Sequence, residues 1–322
     1  MMTKYKNVLY VYSDSVDNKD ALKKTVMIAE KNNASLTVVF TISHETLPNS
    51  LSFAKEKIEA FIDQKEAERD RVISQFSNII AIKKDSIYSN SYIDIIKKVQ
   101  QHNFDLVVKP SENEGVLGAI FGSNDMGYLR HSPCHVWLIN VDDEEKTKSI
   151  IAAIDVDDNY PEDDRLVRES LNLDILKTAI SIAKFRGYNL KIVSAWSAKY
   201  ESALRNYGFI KNNEDDVNAY VNEVENKHLA NFDAFMAKAK NTLDEMAFNL
   251  IKPECILLKG NAKIVLPQYA KKINTDLVVM GTVARVGIPG LIIGNTAENI
   301  LYQLDQSVLA IKPKGFNSLI GK

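Results

Sequence analysis

The sequence predicts an α/β protein built from two consecutive copies of one domain, each a mostly parallel sheet flanked by helices. Three observations predict it. Short apolar runs alternate with segments of helical period in the order βαβαβαβαβ, and that order then repeats. The 322 residues suit two domains of ordinary size. A strand–glycine–loop–glycine–helix stretch, Asp276 to Glu298, has a damaged copy near residue 110: Gly122 lies 13 positions after Lys109, as Gly294 lies 13 positions after Gly281.

The elements follow in order. Val8 to Tyr12 is an apolar strand ended by Ser13-Asp14-Ser15, and Lys19 to Lys31 carries Leu22, Val26 and Ala29 at helical spacing. Leu36 to Thr41 is β-branched and reads as a strand, whereas Ile58, Phe61, Ile62, Val72 and Phe76 mark one face of a long helix over 51–76. A short strand is expected at Ile79 to Ile82, a helix at Asn90 to His102 and a strand at Phe104 to Val108. A helix at Gly122 to His131 and a strand at Val136 to Ile139 close the first copy, residues 1–141. The charged run 142–148 has no apolar anchor and reads as a linker. The second copy, 149–322, repeats the pattern with strands at Ile150 to Ile154, Leu190 to Trp196, Cys255 to Leu258, Leu277 to Met280 and Val308 to Ile311. Its helices are expected at Leu171 to Phe185, in one very long run from Val217 to Leu250, at Ala262 to Ile273, and after Gly294. Extra length falls in the acidic loop Asp157 to Asp164 and in Ser197 to Glu214. Insertions at strand C-termini sit over the ligand crevice of an open α/β sheet.

Composition narrows the function classes. A formal net charge of −2 gives no electrostatic footprint for a nucleic acid. The two cysteines, Cys134 and Cys255, form no CxxC pair and fit free thiols in a reducing compartment. No apolar run reaches membrane length, and the N-terminal run is too short for a signal-peptide core, so a cytoplasmic protein is expected. There is no Walker lysine, GxSxG elbow or triad context, so fast turnover is not indicated. His131, Cys134 and His135 are close in sequence, but Pro133 separates the two histidines and Cys134 and His135 alternate on a strand. No metal site is therefore assigned.

A strand ending in Gly281, a loop with Gly287 and Pro289-Gly290, and a helix opening at Gly294-Asn295-Thr296 form an anion-site pattern. Glycine admits close backbone approach and the helix start offers unpaired N–H groups. These residues, with Asp155 at the end of the first strand of their copy and Lys312-Pro313 after the last, resemble the universal stress protein family, tandem type. The resemblance covers both halves, and its glycine motif is specific in the second. It implies two flavodoxin-like domains of the adenine nucleotide alpha hydrolase kind, each with five strands. They would pair as an internal pseudo-dimer through Val136 to Ile139 and Val308 to Ile311. It also implies a stress-response role and, in some members, bound ATP, with Mg²⁺ and slow hydrolysis as the enzymatic variant. Carried over, Asp155, Ala153 and Ala195 fall at the adenine end. Met280, Gly281, Ala284, Arg285, Gly294, Asn295 and Thr296 fall along the phosphate loop. Ala284 stands where the motif has glycine and Asn295 where it has a hydroxyl, and the added methyl takes space a phosphate would need. In the first copy Ser13, Lys109 and Glu112 replace the Asp and two glycines, and only Gly122-Ser123 remains, so that site reads as lost.

Plainer readings stand beside these. Gly281 and Gly294 are equally explained by packing, Asp155 by a helix cap or loop carboxylate, and Arg285 by a solvated loop. The stripe Phe232, Phe235, Met236, Leu243 and Met246 reads as core. It also leaves open an apolar or lipid-like ligand in a cavity between the halves, or a ligand-free scaffold. The expected partner is a small molecule, an adenine nucleotide or an apolar or lipid-like ligand, and a monomer and a homodimer are both left open.

Overall fold

The computed structural model describes residues 5–14, 16–41, 54–87, 89, 91–112, 121–141, 147–206, 213–243, 245–282, 293–316 and 318–320. They form two units, Lys4–Glu145 with Ser307–Lys322, and Lys146–Gln306. We call them the first and second units.

In the first unit the elements are β1 (Asn7–Tyr12), α1 (Lys19–Asn32), β2 (Ser35–Thr41), α2 (Ala54–Ser74), β3 (Ile82–Ile87), α3 (Tyr92–His102), β4 (Leu106–Pro110), α4 (Ser123–His131) and β5 (His135–Ile139). The sheet order is β3-β2-β1-β4-β5, all parallel. Val8, Leu9, Tyr10, Val11, Leu106, Val107 and Val108 are buried, which explains why the central strands are unbroken apolar runs. Strand β3 sits at the sheet edge, and it corrects the reading of a strand at Ile79 to Ile82. The N–H groups of Ile79 and Ile80 both donate to Phe76 O in a turn, and the strand proper is the polar Ile82–Ile87. An edge strand exposed on one side carries little apolar signal.

The second unit holds β6 (Thr147–Ala153), α5 (Glu162–Arg186), β7 (Asn189–Trp196), α6 (Glu201–Asn206), α7 (Glu214–Thr242), α8 (Glu245–Ile251), β8 (Glu254–Lys259), α9 (Ala262–Lys272), β9 (Thr275–Gly281) and α10 (Asn295–Leu301). Its parallel order is β9-β6-β7-β8. Three expectations change. Strand β6 begins at Thr147, so Thr147 and Lys148 are strand rather than linker. Helix α5 begins at Glu162, because Glu162, Asp163 and Asp164 fall in its first turn, where the helix dipole favours acidic groups. The single long helix is two, α7 and α8, parted after Thr242, and Met246 and Leu250 on α8 are exposed rather than core.

The last strand, β10 (Ser307–Ile311), is antiparallel to β5, with Val308 opposite Leu138, Leu309 opposite Trp137 and Ala310 opposite Val136. This is the pairing of final strands that the sequence implied. It places Lys312 in the interior of the first unit. Its Nζ donates to Leu129 O and lies 4.7 Å from the centre of the Phe316 ring. Burial holds the ammonium down to about 7. A lysine whose folded value lies below its unfolded one penalises folding at neutral pH, and the penalty fades as pH rises from about 7 toward 10.5. Lys312→Met is therefore expected to flatten the rise of stability across that window, by at most about 5 kcal/mol. Urea unfolding of both proteins between pH 7 and 10 reads the difference. The comparison is needed because burial also holds the Cys134 thiol up to about 12, which pulls stability the other way in alkali. Parallel pH profiles for the two proteins would refute the assignment.

Candidate functional site

Strand order reverses at β6, since the chain runs outward through β7 and β8 and returns on the other side as β9. Open α/β sheets leave a crevice at the strand C-termini where this happens. A cavity of about 500 Å³ occupies that position in the second unit. Ala153, Val193 and Met280, in register across β6, β7 and β9, form its floor. Leu171 and Ile175 from α5, Leu266 from α9, and Ala297 and Ile300 from α10 form apolar walls. Helix α7 turns Tyr220, Val224, Lys227, His228 and Asn231 to the same space. Tyr220 and Val224 also pack on the buried cluster of Trp196, Ala198, Val217 and Val221.

Most of the sequence-derived residues meet here. Ala153, Asp155, Ala195, Met280, Gly281, Gly294 and Thr296 all line the cavity. Asn295 does not. It is exposed, and its Oδ1 accepts from Lys263 Nζ at 3.1 Å and from Asn299 Nδ2 at 2.7 Å. Ala284 and Arg285 lie outside the described residues.

The two glycines have different explanations. A Cβ on Gly281 would lie 2.6 Å from Leu171 Cδ2 and 3.1 Å from its Cγ, so the bare backbone is what lets β9 approach α5. Gly281→Ala is expected to cost about 1–3 kcal/mol of stability with no ligand present, read by urea unfolding. An unchanged midpoint would mean Leu171 yields freely. Gly294 caps α10 with φ −70°, open to any residue, and its N–H donates to Thr282 O at 2.7 Å. Gly260 has the strictest demand. It lines the cavity, its φ is +137°, and a Cβ would lie 2.4 Å from Val265 Cγ1. Sequence reasoning passed over it, although Gly260-Asn261 follows strand β8 and opens α9 in the same strand–glycine–helix pattern. Asn261 caps that helix, accepting from Lys263 N–H at 3.1 Å.

Asp155 is tied into its own surroundings. Its backbone N–H donates to Asn172 Oδ1 at 3.2 Å, and its carbonyl accepts from Asn172 Nδ2 at 2.7 Å. Its Oδ2 accepts from Arg168 Nη1 at 2.7 Å and from Tyr160 Oη at 3.1 Å, and its Oδ1 from Asp157 N–H at 3.2 Å. The Arg168 guanidinium stacks 3.6 Å from the centre of the Tyr160 ring. Burial, with Asp155 beside it, pushes the Tyr160 phenol up to about 12. His228 is buried on α7, and its Nε2 lies 3.0 Å from Ser194 Oγ. Burial lowers its basicity, against the pull of Asp157, Asp155 and Asp158. Arg168, Tyr160 and His228 belong to no motif, and of the three only Tyr160 falls in the extra length after β6.

In the first unit the corresponding strand end and helix start are filled by side chains. Lys109 Nζ donates to Asp125 Oδ1 at 2.8 Å and lies 3.1 Å from Glu112 Oε1. Ser13 Oγ donates to Glu112 Oε1 at 2.6 Å, and Glu112 N–H donates to Asp125 Oδ2 at 3.0 Å. Lys109 and Asp125 are both buried. Burial raises the Asp125 carboxyl, opposed by the attraction of Lys109. Among the described residues no group of histidine, cysteine and carboxylate side chains is placed to hold a metal, and no helix is long and apolar enough to cross a membrane.

Two mostly parallel α/β units, one with a crevice at its switch point and one with the corresponding position filled by side chains, define a tandem α/β protein. The model of the Universal stress protein family matches residues 4–140 and 168–312, and the chain belongs to that family. It is 29% identical over 325 residues to the Universal stress protein E homolog of Haemophilus influenzae, covering 96% of this chain and 98% of that protein. It is 25% identical over 336 residues to Universal stress protein E of Escherichia coli K12, covering 98% and 97%. A functionally unknown protein from Pseudomonas aeruginosa PAO1 has a solved structure with the same fold. The TM-score is 0.64 at 23% identity, over 96% of this chain and 93% of that one.

Proposed function

We propose that the protein is a cytoplasmic stress-response binder that holds one adenine nucleotide per chain, in the second unit. The observation that carries this reading is the convergence of Ala153, Asp155, Ala195, Met280, Gly281, Gly294 and Thr296 on one cavity of about 500 Å³. That volume is within the roughly 300–1,000 Å³ of small-molecule pockets. The apolar floor and walls suit a purine, and Asp155 offers a carboxylate to its donors or to a ribose hydroxyl. Thr296, in the first turn of α10, would offer its hydroxyl to a phosphate. Mg²⁺ would arrive with the phosphates, as it does where few protein carboxylates bind it. Among the described residues of the first unit, Lys109 is already paired with both Glu112 and Asp125, and one cation against two carboxylates disfavours a phosphate there. Free cysteines support a reducing compartment.

Calorimetric titration of the full chain with ATP, AMP and adenosine tests the reading. Saturable binding at one site, weakened by Asp155→Asn, is expected. No binding of any of the three would end it. A second reading, an apolar ligand, is favoured by Trp196, Tyr220 and Val224 on the α7 side of the cavity. Native mass spectrometry of freshly purified protein separates the two by the mass released on denaturation.

A further inference from the structure

Asp157, Asp158, Asn159 and Tyr160 line the cavity as a short strap between β6 and α5. Lys227 of α7 pairs with Asp158 at 3.1 Å, and Asp157 Oδ1 accepts from Asn159 N–H at 3.0 Å. The strap folds back on Asp155, the carboxylate that a ligand in this cavity would use. Of roughly four acceptor positions on a carboxylate, Arg168, Tyr160 and Asp157 N–H use three. The guanidinium is committed as well, one edge to Asp155 and one face to the Tyr160 ring.

From the Asp155–Arg168–Tyr160 clamp we infer that the site is self-occupied: Arg168 competes with the ligand for Asp155, and binding requires the strap to release it. This rests on the adenine-nucleotide reading and adds a regulation to it. The clamp sets affinity by competition, so loosening it strengthens binding. An arginine that contacted the ligand would do the opposite. Any signal that draws Arg168 away, such as a competing anion at the strap, would open the site.

Adenosine is the probe, because removal of a guanidinium also changes the field felt by phosphates. The full-length protein and its Arg168→Gln, Asp155→Asn and doubly substituted variants are titrated calorimetrically. Arg168→Gln is expected to bind adenosine about tenfold more tightly, the scale of one charge-assisted hydrogen bond. The gain should vanish in the Asp155→Asn background. Tyr160→Phe keeps the ring and removes one hydrogen bond, so it should give a gain of about threefold. That variant carries the test if Arg168→Gln does not fold. Weaker or unchanged binding by the loosened variants overturns the clamp while leaving the nucleotide reading intact. An equal gain without Asp155 overturns it too. If no protein binds adenosine or ATP, the nucleotide reading has failed, and the clamp with it.

Discussion

Asp125→Ala is expected to destabilise the first unit by about 3–5 kcal/mol, the cost of leaving one member of a buried ion pair without its partner. Asp125 and Lys109 are both withdrawn from solvent, and their 2.8 Å contact is supported by Glu112 and Ser13. Removing the carboxylate takes away the closest partner of the buried ammonium, leaving it Glu112 Oε1 at 3.1 Å and Pro110 O at 3.2 Å, and also takes the acceptor from Glu112 N–H. The Lys109→Met, Asp125→Leu pair should recover most of the loss, since apolar replacement of a whole buried pair is often neutral. The chain has two tryptophans, Trp137 on β5 and Trp196 on β7. In a Trp196→Phe background, fluorescence during urea unfolding therefore reports the first unit alone. A loss under about 1 kcal/mol would mean water or a rearranged Glu112 takes over the pairing. In this unit an internal salt bridge stands at the strand end and helix start.

Ala195→Trp is expected to weaken nucleotide binding at least about 100-fold, equivalent to a little under 3 kcal/mol. Ala195 sits near the end of β7 and lines the cavity. An indole there would fill space a purine needs, and the half-buried position leaves room to accommodate it without unfolding β7. A melting temperature near that of the parent together with lost binding places the ligand over the strand ends. Unchanged affinity would move it elsewhere.

What was legible in the sequence divides along physical lines. Buried parallel strands are continuous apolar runs, so β1, β2, β5, β6, β7, β9 and β10 were found within a few residues. The pairing of β5 with β10 followed from the family resemblance rather than from any local signal. Strand β3 lies a few residues beyond the expected Ile79 to Ile82 because an edge strand such as IKKDSI has no apolar face to fix its position. The junction of α7 and α8 was invisible because helical period persists through Met246 and Leu250, residues that the fold leaves exposed. At the cavity, Ala153, Met280, Gly281 and Gly294 were legible because a strand end, a glycine and a helix start recur as a pattern, whereas Gly260 and Val193 were not singled out. Arg168 and Tyr160 were not, because a side chain that folds back on a carboxylate 13 or 5 residues earlier leaves no periodic trace. Asn295 shows the converse: it was carried over as a site residue, but its side chain turns to Lys263.

The most direct test of the central claim is the stoichiometry of ATP binding by the full chain, measured by native mass spectrometry across a concentration series. One ATP per chain, lost in Ala195→Trp and kept in the Lys109→Met, Asp125→Leu protein, is the predicted result. Two ATP per chain, or one that survives Ala195→Trp, would contradict the assignment of the site to the second unit.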